Sequence, residues 1–91
     1  MHGWSLSDWG VALAGETGEA CDVIKKLNRA RDGLSGNKLT TDELQLELAE
    51  ELADTLAYLD LLAAAAGINL AGAYRQKFNE VSERHGSNVF L

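Results

Sequence analysis

The amino-acid sequence predicts an all-α fold, a helical bundle of three main helices per chain, completed by homo-oligomer packing. Three observations carry that expectation. The 91 residues are 46% hydrophobic and contain no proline, so nothing interrupts long helices. Apolar side chains recur at the spacing of a helix face in two long runs. Turn formers gather at residues 32–38 and around Gly67 instead of scattering through those runs. The length suits one domain, residues 1–91, near the lower limit of chains that fold without staples.

The first helix is expected from a cap at Ser5 or Ser7 to about Arg31. With Glu16 at zero and about 100° per residue, Trp9, Leu13, Ala20, Val23, Ile24 and Leu27 fall within about 80° of it. Glu16 therefore lies near the centre of the apolar face. Gly10, Gly15 and Gly18 each weaken this helix by roughly 1 kcal/mol relative to Ala. Gly15 and Gly18 flank Glu16, where close approach of a backbone or ligand, or a bend, would account for them. Residues 32–38 form a loop.

Thr40 or Thr41 opens the second helix, and Thr40 with Glu43 has capping-box spacing. This helix is expected to reach Ala66, with Gly67 as its stop. Leu44, Leu48, Leu52, Thr55, Leu59 and Leu62 span roughly 0–80° and are expected to face the chain's own core. Glu47, Glu51, Asp54 and Tyr58 form an acidic ridge along one edge of that stripe. Leu46, Ala49, Ala53, Leu56 and Ala57 lie on the opposite side. A helix apolar on two sides needs two partners, so a homodimer or homotetramer is expected. The third helix runs from an Asn69 cap to residues 85–86, and the last five residues are expected to be a tail.

A formal charge of −6 leaves no basic stripe for phosphate backbones, which excludes nucleic acid as a partner. It does not exclude a small phosphorylated ligand, because a divalent cation inverts the local sign of a carboxylate cluster. The one cysteine, Cys21, excludes an internal disulfide and a thiolate zinc site. No long apolar run spans a membrane and no basic start precedes an apolar one, so the cytoplasm is the expected location.

Two carboxylate pairs at the same spacing, Glu16/Glu19 and Glu51/Asp54, carry the chemistry. Residues three apart on a helix have Cβ atoms about 5–6 Å apart, so each pair can converge on one ion. Glu is almost never buried in an apolar stripe without a partner. Oxygen-only ligation favours Mg²⁺, with Mn²⁺ as the alternative, over zinc. Such a site suits metal-assisted phosphoanhydride hydrolysis, which needs a polarised phosphoryl oxygen and an activated water. A di-iron bundle needs Glu-x-x-His, which is absent, and neither His2 nor His85 falls at ligand spacing from a pair. A solvated face is at least an equal reading for Glu47 and Glu50, and the favoured one for Glu43, Glu80 and Glu83. The contrasting function is a non-catalytic helical interaction module whose acidic ridge meets a basic partner.

Gly15-Glu16-Thr17-Gly18-Glu19-Ala20, followed by Glu50-Glu51-Leu52-Ala53-Asp54-Thr55-Leu56-Ala57-Tyr58, resembles the MazG-like nucleoside triphosphate pyrophosphohydrolases. Asp22-Val23-Ile24-Lys25-Lys26-Leu27 and Lys77-Phe78-Asn79 extend the resemblance over most of residues 9–86. It implies Mg²⁺-dependent hydrolysis of a nucleoside triphosphate to the monophosphate and pyrophosphate, as nucleotide-pool house-cleaning. It makes Glu16, Glu19, Glu51 and Asp54 the metal ligands and catalytic carboxylates, with Glu16 or Glu19 also orienting the attacking water. Tyr58 resembles a substrate-contacting position, Lys77 and Arg84 are expected to hold the leaving phosphates, and Trp9 or Trp4 to stack on the base. Dimeric dUTPases and phosphoribosyl-ATP pyrophosphohydrolases of the same superfamily would keep the reaction type and change the substrate. Dimers or tetramers are implied, with sites that borrow residues from a neighbouring subunit.

Overall fold

The computed structural model describes residues 3–91, all of whose regular structure is helical. His2 lies outside them. The helices are α1 (Leu6–Arg31), α2 (Thr41–Ala65) and α3 (Leu70–Arg84). Their ends follow local chemistry. Ser5 caps α1 by accepting from the Asp8 backbone N–H, while the Ser5 N–H donates to the Asp8 carboxylate at 2.9 Å. Thr40 and Glu43 form the same reciprocal box at the start of α2. Donation by the Thr40 backbone N–H is the main cause holding the Glu43 carboxyl below its ordinary value. Asn69 caps α3 through the Gly72 N–H. After α2 and α3 the chain turns at Gly67 (φ 72°) and Gly86 (φ 69°), a left-handed conformation that glycine adopts without Cβ strain.

α1 and α2 pack as an antiparallel hairpin. Trp9 meets Tyr58, Glu16 meets Glu51 and Val23 shares a groove with Glu47, so positions rise on one helix as they fall on the other. The buried hydrophobic residues are Trp9, Ala20, Val23, Leu44 and Ala63, and Leu44 is the large side chain sealed most fully, at 1% exposure. At the turn, Arg29 Nη1 donates to Asn37 Oδ1 (3.1 Å) and Asn37 Nδ2 donates to the Lys26 carbonyl (2.8 Å). The loop is thus tied onto α1 by side chains.

α3 leaves the hairpin with a bend of 103° from α2 and makes no packing contact with α1. The three axes therefore do not share one bundle within the chain. The result is a slab 44 × 43 × 17 Å with a radius of gyration of 17.2 Å, against about 12 Å for a compact chain of this length. The tail folds back on α3, where Leu91 N donates to Asn79 Oδ1 at 2.8 Å and Asn79 Nδ2 donates to Leu91 O at 3.3 Å. Asn79, whose place in the resemblance carried no role, is thus a clamp for the chain end.

The rotation of α2 differs from the sequence-based expectation. Leu52 (53% exposed) and Leu59 (37%) point outward, and Ile24 of α1 is also exposed. Glu51, Thr55 and Tyr58 take half-buried places beside Leu48 and Leu62. The seam therefore runs through the acidic ridge instead of beside it. No single helix among the described residues is long and apolar enough to cross a membrane.

Candidate active site

The hairpin brings the two carboxylate pairs together. Oxygens of Glu16, Glu51 and Asp54 lie within 4.8 Å of one another. Glu16 Oε2 and Glu51 Oε2 are each buried without a hydrogen-bond partner. A withdrawn acceptor with no donor is costly, and two of them side by side compound the cost with like-charge repulsion. Thr55 does not relieve it, since its hydroxyl donates to the Glu51 backbone carbonyl at 2.8 Å. Glu19 and Asp54 are more exposed.

Both half-buried carboxyls titrate above their ordinary 4.5. Burial is the main cause for Glu16, followed by the negative charges of Glu19 and Asp54. For Glu51 the first cause is the Glu19 carboxyl at hydrogen-bonding range, a contact that needs a proton on one partner. Burial and the charges of Glu19, Glu16 and Asp54 add to it. A carboxyl whose folded pKa is raised binds its proton more tightly folded than unfolded. Its stabilising contribution is full below about 4.5 and is lost as pH rises through the raised value. We therefore expect the thermal midpoint of metal-free protein to fall as pH climbs from about 4.5 towards neutrality. The double variant Glu16→Gln/Glu51→Gln is expected to flatten that dependence, and an equally steep profile in it would show that the instability comes from elsewhere. Scanning calorimetry in chelator reads both.

A groove of about 560 Å³ opens beside the cluster, lined by Gly15, Gly18, Glu19, Asp22, Val23, Glu47 and Glu51. A Cβ built at Gly15 or Gly18 meets nothing within 4 Å, so these glycines do not serve close packing inside the chain. They leave the groove wall open beside Glu16 and Glu19. Glu47, open to reading as a solvated side chain, is half-buried and lies on the groove wall, as does Asp22. The signal for both was spacing, with Asp22 three residues after Glu19 and Glu47 four before Glu51.

The other expected site residues divide. Tyr58 is half-buried one turn beyond Asp54, and Trp9, 6% exposed, lies between Trp4 and Tyr58 with ring centroids at 4.7 and 6.3 Å. Trp9 is thus mainly core, and Trp4, 40% exposed, is the indole with surface free. Lys77 and Arg84 sit on α3, which makes no packing contact with α1, the helix that carries Glu16 and Glu19. Lys77 Nζ is 3.9 Å from Glu80, a loose surface pair.

An all-α hairpin that brings the carboxylates of Glu16, Glu51 and Asp54 together from two helices, beside an acidic groove, defines a class of helical proteins with an acidic site at a two-helix seam. The sequence matches the MazG nucleotide pyrophosphohydrolase domain over residues 7–89, nearly the whole chain, and the protein belongs to that family. No curated protein and no solved structure matches it.

Proposed function

We propose that this protein is a Mg²⁺-dependent nucleoside triphosphate pyrophosphohydrolase, cleaving the α–β phosphoanhydride to release monophosphate and pyrophosphate in nucleotide-pool house-cleaning. The observation that carries the reading is the pair of buried, partnerless oxygens on Glu16 and Glu51 beside Asp54. A donor set made only of carboxylates fits a hard cation, Mg²⁺ or Mn²⁺, and Glu16, Glu51 and Asp54 would hold it with Glu19 beside them. When bound, such a cation neutralises the cluster and polarises a phosphoryl oxygen.

The remaining work belongs to side chains. Glu19 is exposed on the groove wall and outside the converging three, which suits it to orient the attacking water and take its proton. Water oxygen bonds to phosphorus, the anhydride P–O bond breaks, and pyrophosphate departs with the electron pair. Trp4 and Tyr58 border the end of the seam where a base would lie, Trp9 holding both in place.

Homo-oligomerisation belongs to the same reading. The chain exposes 6735 Å², against about 5,200 Å² for a compact monomer of its mass. Leu46, Leu52 and Leu56 are each more than half exposed. The excess is of the order that a standard interface removes from each partner, about 800 Å², taken more than once.

An interaction module with an acidic ridge fits less well, because a docking ridge presents its charges and this one withdraws two of them. The test is release of pyrophosphate from a panel of common and modified nucleoside triphosphates, with Mg²⁺ and with chelator, on protein whose mass is read by light scattering. We expect metal-dependent release in equal amounts with monophosphate, from a dimer or tetramer. Silence across the panel from folded protein would remove the enzymatic reading.

A further inference from the structure

Charge is segregated along the hairpin, and the two signs meet at its turn. Of eight Lys and Arg in the chain, five lie between positions 25 and 38, namely Lys25, Lys26, Arg29, Arg31 and Lys38. α2 contains no basic residue, while Asp42, Glu43, Glu47 and Glu50 fall within its first ten positions. These acids therefore have no opposite charge one turn away on their own helix.

Two depressions adjoin there. One, of about 460 Å³, has Lys26, Arg29 and Lys38 in its walls. The other, of about 480 Å³, is walled by Glu43, Glu47 and Glu50 and lined by Leu46. Leu39 and Glu47 belong to both. A basic hollow and an acidic one thus lie side by side across a shared leucine. Leu39 is 38% exposed and Leu46 65%, so apolar surface is offered together with the charge.

The chain leaves the charges of both halves unused. Arg29 is half-buried and held in place by Asn37, yet it forms no ion pair among the described residues. Nor do Lys38, Glu43, Glu47 or Glu50. A partly desolvated guanidinium without a counter-charge is costly, and a carboxylate gripped by two of its N–H groups relieves it.

A patch with one positive and one negative half is complementary to itself. A two-fold rotation lays the basic half of one copy on the acidic half of the next, twice over. We propose that Lys26, Arg29 and Lys38, beside Glu43, Glu47 and Glu50, form an isologous contact between two copies of the chain, with Leu39 near the axis. It is separate from the apolar face at Leu52 and Leu56. Two faces per chain agree with a surface excess larger than one interface removes. Exposed ion pairs add little affinity singly, so Arg29 and the two leucines supply the hold, and the outer charges supply orientation and encounter rate. Glu47 also borders the carboxylate groove, so the second copy stands beside that groove at the end nearer the turn.

Sedimentation velocity of the 91-residue protein in Mg²⁺, at low and high salt, reads the contact. At 1 M salt the Debye length falls to about 3 Å, and we expect the largest species present at low salt to halve in mass. Lys38→Glu and Glu50→Lys alter exposed side chains that form no ion pair, so both keep the fold. Each alone is expected to weaken the contact at least about tenfold. Mixing the two variants is expected to restore it, because opposite signs then face each other in both halves. A monomer at low salt, a mass that neither salt nor the reversals change, or a mixture that does not reassemble overturns the proposal. The readout is mass alone, so no outcome depends on whether the protein hydrolyses a nucleotide.

Discussion

Glu51→Gln and Asp54→Asn are each expected to lower kcat/KM by well over tenfold in Mg²⁺ (more than about 1.4 kcal/mol of transition-state stabilisation). Both substitutions keep volume and remove one charge from the convergent set. Their effect on stability should run the other way. Glu51 is half-buried, repelled by Glu16, Glu19 and Asp54, and leaves Oε2 without a donor. Removing its charge relieves the metal-free fold, so Glu51→Gln should melt higher than the unaltered protein in chelator while losing its gain from Mg²⁺. Loss of activity with a raised metal-free midpoint separates a ligand from a mere structural residue, whose removal lowers both. Retention of more than about a tenth of the activity in both variants would refute the ligand assignment.

Leu44→Ala is expected to be the most damaging single truncation for the fold. Leu44 is the large side chain sealed to 1% exposure, in a core of five buried hydrophobic residues. Loss of its side chain removes transfer energy and leaves a void, together about 2–5 kcal/mol. A domain of this length has about 5–14 kcal/mol in total. Urea denaturation should show the midpoint collapse with little change in slope. Leu34→Ala, at a side chain 62% exposed in the turn, should stay within about 0.5 kcal/mol. Equal effects at the two positions would mean that the hairpin seam is not where the energy lies.

The helices and their ends were legible because caps are local. Ser5 with Asp8, Thr40 with Glu43 and the Asn69 side chain each act within three residues, and Gly67 and Gly86 mark their stops by φ alone. The convergence of Glu16 with Glu51 and Asp54 was legible for a related reason, since acid within an apolar stripe is conspicuous at helical spacing. The rotation of α2 was not. Its apolar residues occupy two arcs, so periodicity alone does not say which arc meets α1, and Leu52 and Leu59 came out exposed. The direction of α3 depends on a short link around Gly67 and has no periodic signature. The Arg29–Asn37–Lys26 lock escaped notice because it joins a helix to a loop by side-chain hydrogen bonds across 8 and 11 residues.

The aromatic run at the open end of the hairpin has an optical consequence. Both indoles of the protein belong to it, in mutual contact at 4.7 Å, and Tyr58 lies 6.3 Å from the inner one. Tyr58 is also a single turn from Asp54. Nearly all ultraviolet emission of the chain therefore originates at one spot beside the carboxylates, with a phenol close enough to feed it by energy transfer. The molecule thus carries its own reporter, and a change in the emission of unlabelled protein on titration with Mg²⁺ is the expected sign of a cation at the carboxylates.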